Sequence, residues 1–483
     1  MSGIEVSGGV AGLSVALIEL EESAERLRGI GTQLAEIAVS VAGAATEPAM
    51  VLAGVLAPRE LVAVECSLLG CSGATGVTGV AADVVATSLA TTAAVRSYRA
   101  GEDAAEALTD GIATAAGRWI GRRAGPVLLG AGVAIAPVAT VVLSVPGGRD
   151  AAVAVGLGLG REVDEILYDH PWLVPAVADG LDGLVLGLGE GVPALGVWMA
   201  WRSGRAGATY PPRTQEEALA VVLATTQGVL LDESGADIRL SAHEPEAGVA
   251  PRGVGDLVAG DGPTSGGSRV RVSGIPQPDG SWTWVVDVPG TQTFDPRAGS
   301  NPYDMTSNIL LAAGQRTRTM RAVVQAVEDA RRRTGDTGPP RVMVTGHSQG
   351  GLTAAALAAD PAFRARLGIT HVVTSAAPVA RLDIPPDVSV LSLEHTQDLV
   401  PAAEGADNPD RESWVTVERS VVDELGSDGR ATQAHDNGLY ADTARMVDAS
   451  DDRSIAAWRD GATAYVGGFG GPTVTIDYDI ERR

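Results

Sequence analysis

The sequence predicts an all-α N-terminal region followed by an α/β domain whose sheet is mostly parallel. The N-terminal prediction rests on leucines that recur at spacings near three, four and seven, as in an amphipathic helix: Leu13, Leu17, Leu20, Leu27 and Leu34. The α/β prediction rests on strand-like and helix-like segments that alternate after about residue 269. The chain has 483 residues, 45% hydrophobic and 20% charged, which is typical of a folded protein with more than one core.

Residues 1–114 are predicted to form a helical hairpin, with a Pro/Gly-interrupted break near residues 48–58 and a second helix running toward residue 107. That helix ends in VRSYRAGEDAAEAL, which resembles the tail of the second helix in WXG100/ESX-like hairpins. Tyr98 and Glu102 match the Y-x-x-x-D/E signal of that family, one helical turn apart. The resemblance implies export by type VII secretion with a helical partner protein. An ordinary solvated i,i+4 pair is the alternative interpretation.

Residues 115–205 form a Gly/Ala-rich apolar region. Residues 124–148 carry no charge and would make a helix about 37 Å long, enough to cross a bilayer, although three prolines interrupt it. A second apolar stretch, residues 174–201, contains three acidic residues that would be costly in lipid. Three interpretations stay open: two membrane helices, a pair that inserts conditionally, or a buried Gly/Ala-packed hairpin. A ladder of small residues suits close helix contact in either medium: Gly180, Gly183, Gly187 and Gly191.

Residues 206–483 are predicted to be the α/β domain. Two alternating strands flank Pro-Asp-Gly near residue 279, which indicates a hairpin at the sheet edge. The remaining predicted elements alternate as helix, strand, helix, strand and strand, at residues 308–333, 341–345, 352–359, 371–375 and 388–394.

The composition excludes several kinds of chemistry. All 36 basic residues are arginine, so a Schiff-base lysine and a P-loop lysine are impossible. Cys66 and Cys71 are too few for an iron–sulfur cluster and are expected to be free thiols. The net charge of −24 argues against a nucleic-acid partner. No metal and no organic cofactor is predicted.

The informative motif is VMVTGHSQGG, which places G-x-S-x-G between an apolar strand and an Ala-rich helix. The sharp turn between them requires Gly346 and Gly350, because neighbouring backbone would collide with a Cβ at either position. Ser348 is thereby presented at the carboxyl edge of the sheet, at a helix N-terminus. Ser348 is therefore the predicted nucleophile.

A serine nucleophile needs a base and a group that orients the base. His435 lies in a polar loop late in the chain and is the predicted base, with His395 as the alternative base. His371 opens a strand and is interpreted as structural. Asp398 follows a predicted strand and is the predicted orienting acid. Two weaker candidates for the acid are Asp383 and Asp407.

Acyl transfer also needs hydrogen-bond donors aimed at the developing oxyanion. The backbone N–H of Gln349, directly after the nucleophile, is one predicted donor. The other is Thr291, in the turn VVDVPGTQTFDP, where Gly290 allows close backbone approach. A plain turn after a hairpin strand is the alternative interpretation of this segment.

Five segments together resemble the class 3 (fungal-type) lipase branch of the α/β-hydrolases over roughly residues 210–480: WVVDVPGTQT, VMVTGHSQGGLTA, VTSAAPVA, HTQDLVP and HDNGLY. The resemblance implies an α/β-hydrolase domain, a Ser-Asp-His triad at Ser348, Asp398 and His435, and an oxyanion hole at Thr291 and Gln349. It implies lipid or acyl-glycerol esters as substrates. An amphipathic lid is not evident in the sequence. The N-terminal 200 residues are an extension that the simplest members of the branch lack.

The favoured hypothesis is therefore a serine esterase or lipase. The alternative is a secreted, type VII-type interaction or membrane-perturbing protein whose hydrolase domain is inactive. A cleaved signal peptide is not expected, because the N-terminus lacks a basic region. Secretion or placement in the cell envelope by a route that needs no signal peptide is favoured. The candidate partners are a membrane surface and a helical secretion protein. A cytoplasmic esterase is the alternative.

Overall fold

The computed structural model divides the chain into two compact units, Leu13–Leu108 and, together, Met1–Gly12 with Thr109–Arg483. The residues that the structure describes are 3–44, 47, 50, 57–73, 75–130, 164, 167–171, 173–261, 269–426, 429–467 and 472–483. The first unit is helical, and the second contains the sheet.

Three described helices account for most of the first unit: α1 (Leu13–Ala44), α2 (Pro58–Ser72) and α3 (Val77–Gly130), the last of which extends into the second unit. α1 and α3 run antiparallel. The Ser88 hydroxyl donates to the Ala24 carbonyl at 2.6 Å, and Arg99 pairs with Glu21 at 2.9 Å nearer the start of α1. α1 and α3 therefore contact each other as an antiparallel pair, but the single second helix predicted to run toward residue 107 is two helices, α2 and α3, and α3 continues well past that residue. Cys66 and Cys71 are free and exposed.

One apolar helical stretch among the described residues, Leu61–Glu102, is long enough to cross a bilayer by length and composition alone, with a mean hydropathy of 1.4. Most of the uncharged stretch 124–148, where the sequence raised a membrane helix, lies outside the described residues.

The second unit contains thirteen further described helices and ten described strands. The helices are α4 (Leu173–Asp179), α5 (Leu181–Gly191), α6 (Pro193–Ala206), α7 (Gln215–Thr226), α8 (Val254–Asp261), α9 (Met305–Ala312), α10 (Arg318–Thr334), α11 (Gln349–Ala359), α12 (Pro361–Leu367), α13 (Val422–Leu425), α14 (Ala431–Ala434), α15 (Asn437–Asp448) and α16 (Arg453–Gly461). The strands are β1 (Ile4–Gly8), β2 (Ile238–Ala242), β3 (Glu246–Gly248), β4 (Arg269–Pro276), β5 (Trp282–Val288), β6 (Val342–His347), β7 (Ile369–Ser375), β8 (Ser389–His395), β9 (Trp414–Arg419) and β10 (Thr473–Arg482).

These strands form one mixed sheet in the order β1-β9-β8-β7-β6-β5-β4-β10-β2, with β3 also paired to β10. The central strands β5 to β9 are parallel, so their carboxyl ends meet at one edge. The flanking pairs are antiparallel, and they include the predicted β4–β5 hairpin. The predicted mixed α/β architecture with N-terminal helices is therefore present.

Alternate residues of the strands face two separate cores. On β5, Trp284 and Val286 pack with α10 and α11 on one face of the sheet. Val285 points to the other face, where α8, α15 and α16 cover it. This period-two alternation makes a three-layer α/β/α unit, in which helices on both faces shield the parallel strands from water.

Two further predicted elements differ from the structure. Residues 4–8, expected to be helical, form β1 and pair antiparallel with β9, because the alternating sequence IEVSG can complete an open sheet edge. The single helix predicted over residues 308–333 is two helices, α9 and α10. Gly314 adopts a positive φ of 66° between them, and the Thr317 hydroxyl caps α10 by accepting the Met320 N–H.

The apolar stretch 174–201 folds as α4, α5 and α6 and packs within the second unit. Leu181, Val185 and Met199 are buried in one cluster with Leu219 of α7 and Ile309 of α9. These helices therefore contribute to a protein core beside the sheet.

Candidate active site

Ser348 lies between the end of β6 and the start of α11, at the carboxyl edge of the parallel strands. Its backbone has φ 57° and ψ −123°, in the left-handed half of conformational space that non-glycine residues rarely occupy. A Cβ on Gly346 would overlap the backbone of Gly350, and one on Gly350 would overlap the carbonyl of Val288. The two glycines therefore permit the strained turn that presents Ser348, as the motif predicted.

The turn after β5 lies directly against Ser348. A Cβ on Gly290 would be 3.0 Å from the His347 carbonyl oxygen and 3.4 Å from the Ser348 Cβ, so this glycine allows the turn to approach the segment of the serine closely. The next residue, Thr291, has its hydroxyl held by Asn308, whose side-chain amide donates to it at 3.0 Å. The predicted donor segment and the predicted nucleophile are thus neighbours in space.

Gln349 is the first residue of α11, and backbone N–H groups at that position have no acceptor within the helix. Its side-chain amide donates to the Asp304 carbonyl at 3.0 Å. The side chain is thereby fixed to the segment of Asp304, while the backbone N–H lies at the positive end of the helix dipole.

Asp398 and His435 are brought together by the fold. His435 Nδ1 is 2.8 Å from Asp398 Oδ2, and the Asp398 side chain is only 1% exposed. The imidazole is 26% exposed, so it reaches from a buried carboxylate toward solvent. With Nδ1 committed to Asp398, Nε2 is the nitrogen left to exchange protons.

Local hydrogen bonds explain why each partner is held in place. After β8 the chain makes a tight turn in which the Asp398 N–H donates to the His395 carbonyl at 2.9 Å. Asp398 Oδ1 then accepts the Val400 N–H at 3.0 Å. His435 follows α14 directly, and Asp436 caps α15 by accepting from the N–H groups of residues 438 and 439.

The charge states follow from burial and neighbours. Burial alone would raise the pKa of Asp398. The facing His435 ring and the hydrogen bonds that the Asp398 carboxylate accepts hold this pKa below its ordinary value. Burial lowers the pKa of His347 to about 3, so that ring is neutral at physiological pH. The rings of His347 and His435 lie 4.6 Å apart between centroids, which places His435 beside the residue that precedes Ser348.

Ser348 Oγ makes no hydrogen bond within the described part of the chain, to His435 or to any other group. Ser348 itself is 9% exposed. In structures without substrate, hydrogen bonds between a nucleophile and its base are often long or misaligned, and they tighten when substrate binds.

The other sequence candidates lie elsewhere or are otherwise engaged. His395 Nδ1 bonds the Ala434 carbonyl at 2.8 Å and Nε2 bonds the Thr443 hydroxyl at 2.8 Å, so both ring nitrogens are occupied. His371 lies near the amino end of β7, at the edge opposite Ser348. Among hydrogen bonds of the described residues, neither Asp383 nor Asp407 contacts a histidine. No group of three or more metal-ligating side chains occurs within the described ranges.

Three residues that the sequence analysis did not select also contact this site: Asn308, His347 and Tyr440. Asn308 holds Thr291, His347 packs on His435, and Tyr440 donates to Asp398. The signal for Tyr440 was its position one helical turn past the Asp436 cap, which directs it back toward the loop of Asp398. Comparisons with protein-family models, with curated proteins and with solved structures found no match to this chain.

Proposed function

We propose that the α/β unit is an α/β-hydrolase domain and that the protein is a serine hydrolase of carboxylic esters. The observation that carries the proposal is the 2.8 Å contact between His435 Nδ1 and buried Asp398, beside a strained, glycine-flanked Ser348 at the same sheet edge. These contacts support the proposal, because a histidine oriented by a carboxylate can take the proton of a nearby serine in acyl transfer.

In the proposed reaction, Ser348 Oγ attacks the ester carbonyl carbon and its proton passes to His435 Nε2. The oxyanion is stabilised by the Gln349 N–H and by Thr291. Collapse of the intermediate breaks the carbon–oxygen bond, and His435 returns the proton to the leaving alcohol. Water then attacks the acyl-serine while His435 takes its proton. The bond between the acyl carbon and Ser348 Oγ breaks, His435 returns the proton to Ser348 Oγ, and the carboxylic acid is released. Asp398 stays ionised and orients the imidazole throughout.

The substrate class is proposed from the lipase resemblance, which favours lipid or acyl-glycerol esters. The role of the N-terminal unit is a separate proposal: export through a helical secretion partner. It is supported by Tyr98 and Glu102, whose side chains meet at 2.9 Å on α3. Recovery of the native protein only in the cytosol would contradict that export.

A fluorophosphonate probe tests the enzymatic proposal. We expect labelling of Ser348 in the folded protein, loss of labelling in Ser348→Ala, and strong slowing in His435→Ala. The matched control is His371→Asn, a histidine at the opposite sheet edge, which should label at the wild-type rate. Folded wild-type protein that does not label would support the alternative of an inactive hydrolase domain. Equal slowing in both histidine variants would contradict the assignment of the base.

A further inference from the structure

Tyr440 is a fully buried tyrosine on α15 whose hydroxyl reaches the carboxylate of Asp398. Its Oη is 2.8 Å from Asp398 Oδ2, the same oxygen that His435 Nδ1 approaches at 2.8 Å. Two donors therefore share one carboxylate oxygen, while Oδ1 accepts the Val400 N–H.

The direction of the hydrogen bond is determined by the neighbours of the hydroxyl. The His395 backbone N–H donates to Tyr440 Oη at 3.0 Å, so the oxygen is already an acceptor there. The single phenolic proton is then directed at Asp398. Burial, and to a smaller extent the adjacent carboxylate of Asp398, raises the pKa of Tyr440 well above its ordinary value. The proton therefore stays on the phenol.

The ring of Tyr440 is held as firmly as its hydroxyl. The His395 ring stacks on it, with centroids 3.7 Å apart and planes 17° from parallel. His395 is anchored in turn at both nitrogens, through the Ala434 carbonyl and the Thr443 hydroxyl. Ala434 directly precedes His435. Of the two stacked residues, His395 therefore contacts the segment of His435, and Tyr440 contacts Asp398.

We propose that Tyr440 is a positioning residue that fixes the Asp398 carboxylate and weakens its hold on the proton of His435, with His395 as the support of Tyr440. This inference rests on the proposed function. A donor to Oδ2 withdraws charge from the oxygen that faces the imidazole. Asp398 therefore stabilises the imidazolium of His435 during the reaction, but not so strongly that His435 fails to release the proton again. Besides Asp398, His435 and His395, the charged and titratable groups near Tyr440 are His347, at 5.6 Å between ring centroids, and Glu394.

The test compares Tyr440→Phe with Tyr465→Phe. Tyr465 is a matched control, because it is also buried, lies 5.1 Å from a histidine ring (His371), and bonds Thr370 through its hydroxyl at the opposite end of the parallel strands. In Tyr440→Phe we expect kcat for ester hydrolysis to fall roughly 10- to 100-fold with KM unchanged, the loss expected for one hydrogen bond to a charged group. Tyr465→Phe should keep the wild-type kcat.

The pH profile separates positioning from mere structural support. Without the phenolic donor, Asp398 holds the proton on His435 more tightly, so the acid limb of kcat/KM should move to higher pH. A purely structural role would lower the melting temperature and leave that limb in place, and this result would overturn the inference. Incorporation of 3-fluorotyrosine at position 440, which strengthens donation without altering packing, should move the limb to lower pH. This second variant decides the matter if Tyr440→Phe fails to fold, and an unmoved limb there would also overturn the inference.

The inference and the proposed function fail in different ways. If Ser348→Ala hydrolyses ester as fast as the wild type, the proposed function is wrong. If Ser348→Ala is inactive while both position-440 variants keep the wild-type rate and limb, only the role of Tyr440 is wrong.

Discussion

Glu394 and Glu404 are two acidic residues whose charge states depend on burial close to the candidate site. Burial raises the pKa of Glu394, next to His395, to about 8, and the nearby charge of Glu404 adds to this effect. Burial raises the pKa of Glu404 to about 7, although its carboxylate accepts the Ala380 N–H at 2.6 Å and the Arg381 N–H at 3.0 Å. Both groups are therefore more easily ionised in the unfolded chain than in the folded one.

The first prediction concerns Glu394→Gln. Because the folded pKa of about 8 exceeds the ordinary value of 4.5, the stability from Glu394 is fully present below pH 4.5 and is lost as pH rises through 8. The wild-type melting temperature should therefore fall relative to that of Glu394→Gln between pH 5 and 8. The titration of Asp398 lies below this window, since its pKa is lowered.

The control for this experiment is Glu412→Gln, an exposed carboxylate in the turn before strand β9. It should reproduce the wild-type slope. If melting temperatures of Glu394→Gln run parallel to the wild type across the window, the buried-acid account of the pH dependence is wrong.

At the scale of elements, a ladder of glycines explains how α3 and α5 contact each other. A Cβ on Gly183 would overlap the Thr114 carbonyl, and one on Gly187 would overlap the Arg118 carbonyl. From the other helix, Gly121 stands against the backbone of Leu184 in the same way. The two helices therefore touch backbone to backbone, and small residues are a steric requirement of this contact.

The second prediction is that Gly183→Ala destabilises the protein, whereas Gly204→Ala does not. The added methyl at position 183 must push the helices apart, at a cost of roughly 1–3 kcal/mol. Gly204 lies in α6 with open space around it, so alanine there should be neutral or stabilise by up to about 1 kcal/mol. Chemical denaturation of both variants measures the difference. Equal effects at the two positions would contradict the steric account.

At the scale of the whole molecule, Arg482 links distant parts of the chain beneath the candidate site. Its guanidinium is 2% exposed, bonds Glu233 at 2.8 Å and also pairs with Asp304. Asp304 caps α9, and its carbonyl accepts the side chain of Gln349. A residue of the strand β10 is thus connected to the helix that begins directly after Ser348.

The third prediction is that Arg482→Met destabilises the protein by about 3–5 kcal/mol, because two buried carboxylates lose their common cation. Ester hydrolysis should also fall, since Asp304 supports Gln349. The adjacent Arg483→Met is the control. That side chain is exposed, and among the described residues its partner is exposed Glu481 alone, so its change should stay within about 0.5 kcal/mol. Denaturant midpoints distinguish the two, and a loss of similar size in Arg483→Met would show that the buried network is not the cause.

Local patterns allowed the elements around the site to be predicted from the sequence. The strand, turn and helix around Ser348 are adjacent in the chain, and Gly346 is required because a Cβ there would overlap the backbone of Gly350, four residues later. The β4–β5 hairpin was predictable for the same reason. Strand β1 was not, because whether a short alternating segment becomes a strand depends on an open edge of β9 that lies far away in the chain.

The sequence by itself determined the mixed α/β plan, the turn that presents Ser348, and a short set of histidines and aspartates as candidates for its partners. Only the tertiary structure decided that Asp398 faces His435, while His395 is held at both ring nitrogens and stacks on Tyr440. The physical reason is that both histidines follow Ser348 and both are polar residues near an element end, so local pattern cannot separate them. Which ring meets the carboxylate depends on how α14 and α15 pack over the carboxyl ends of β6 to β8.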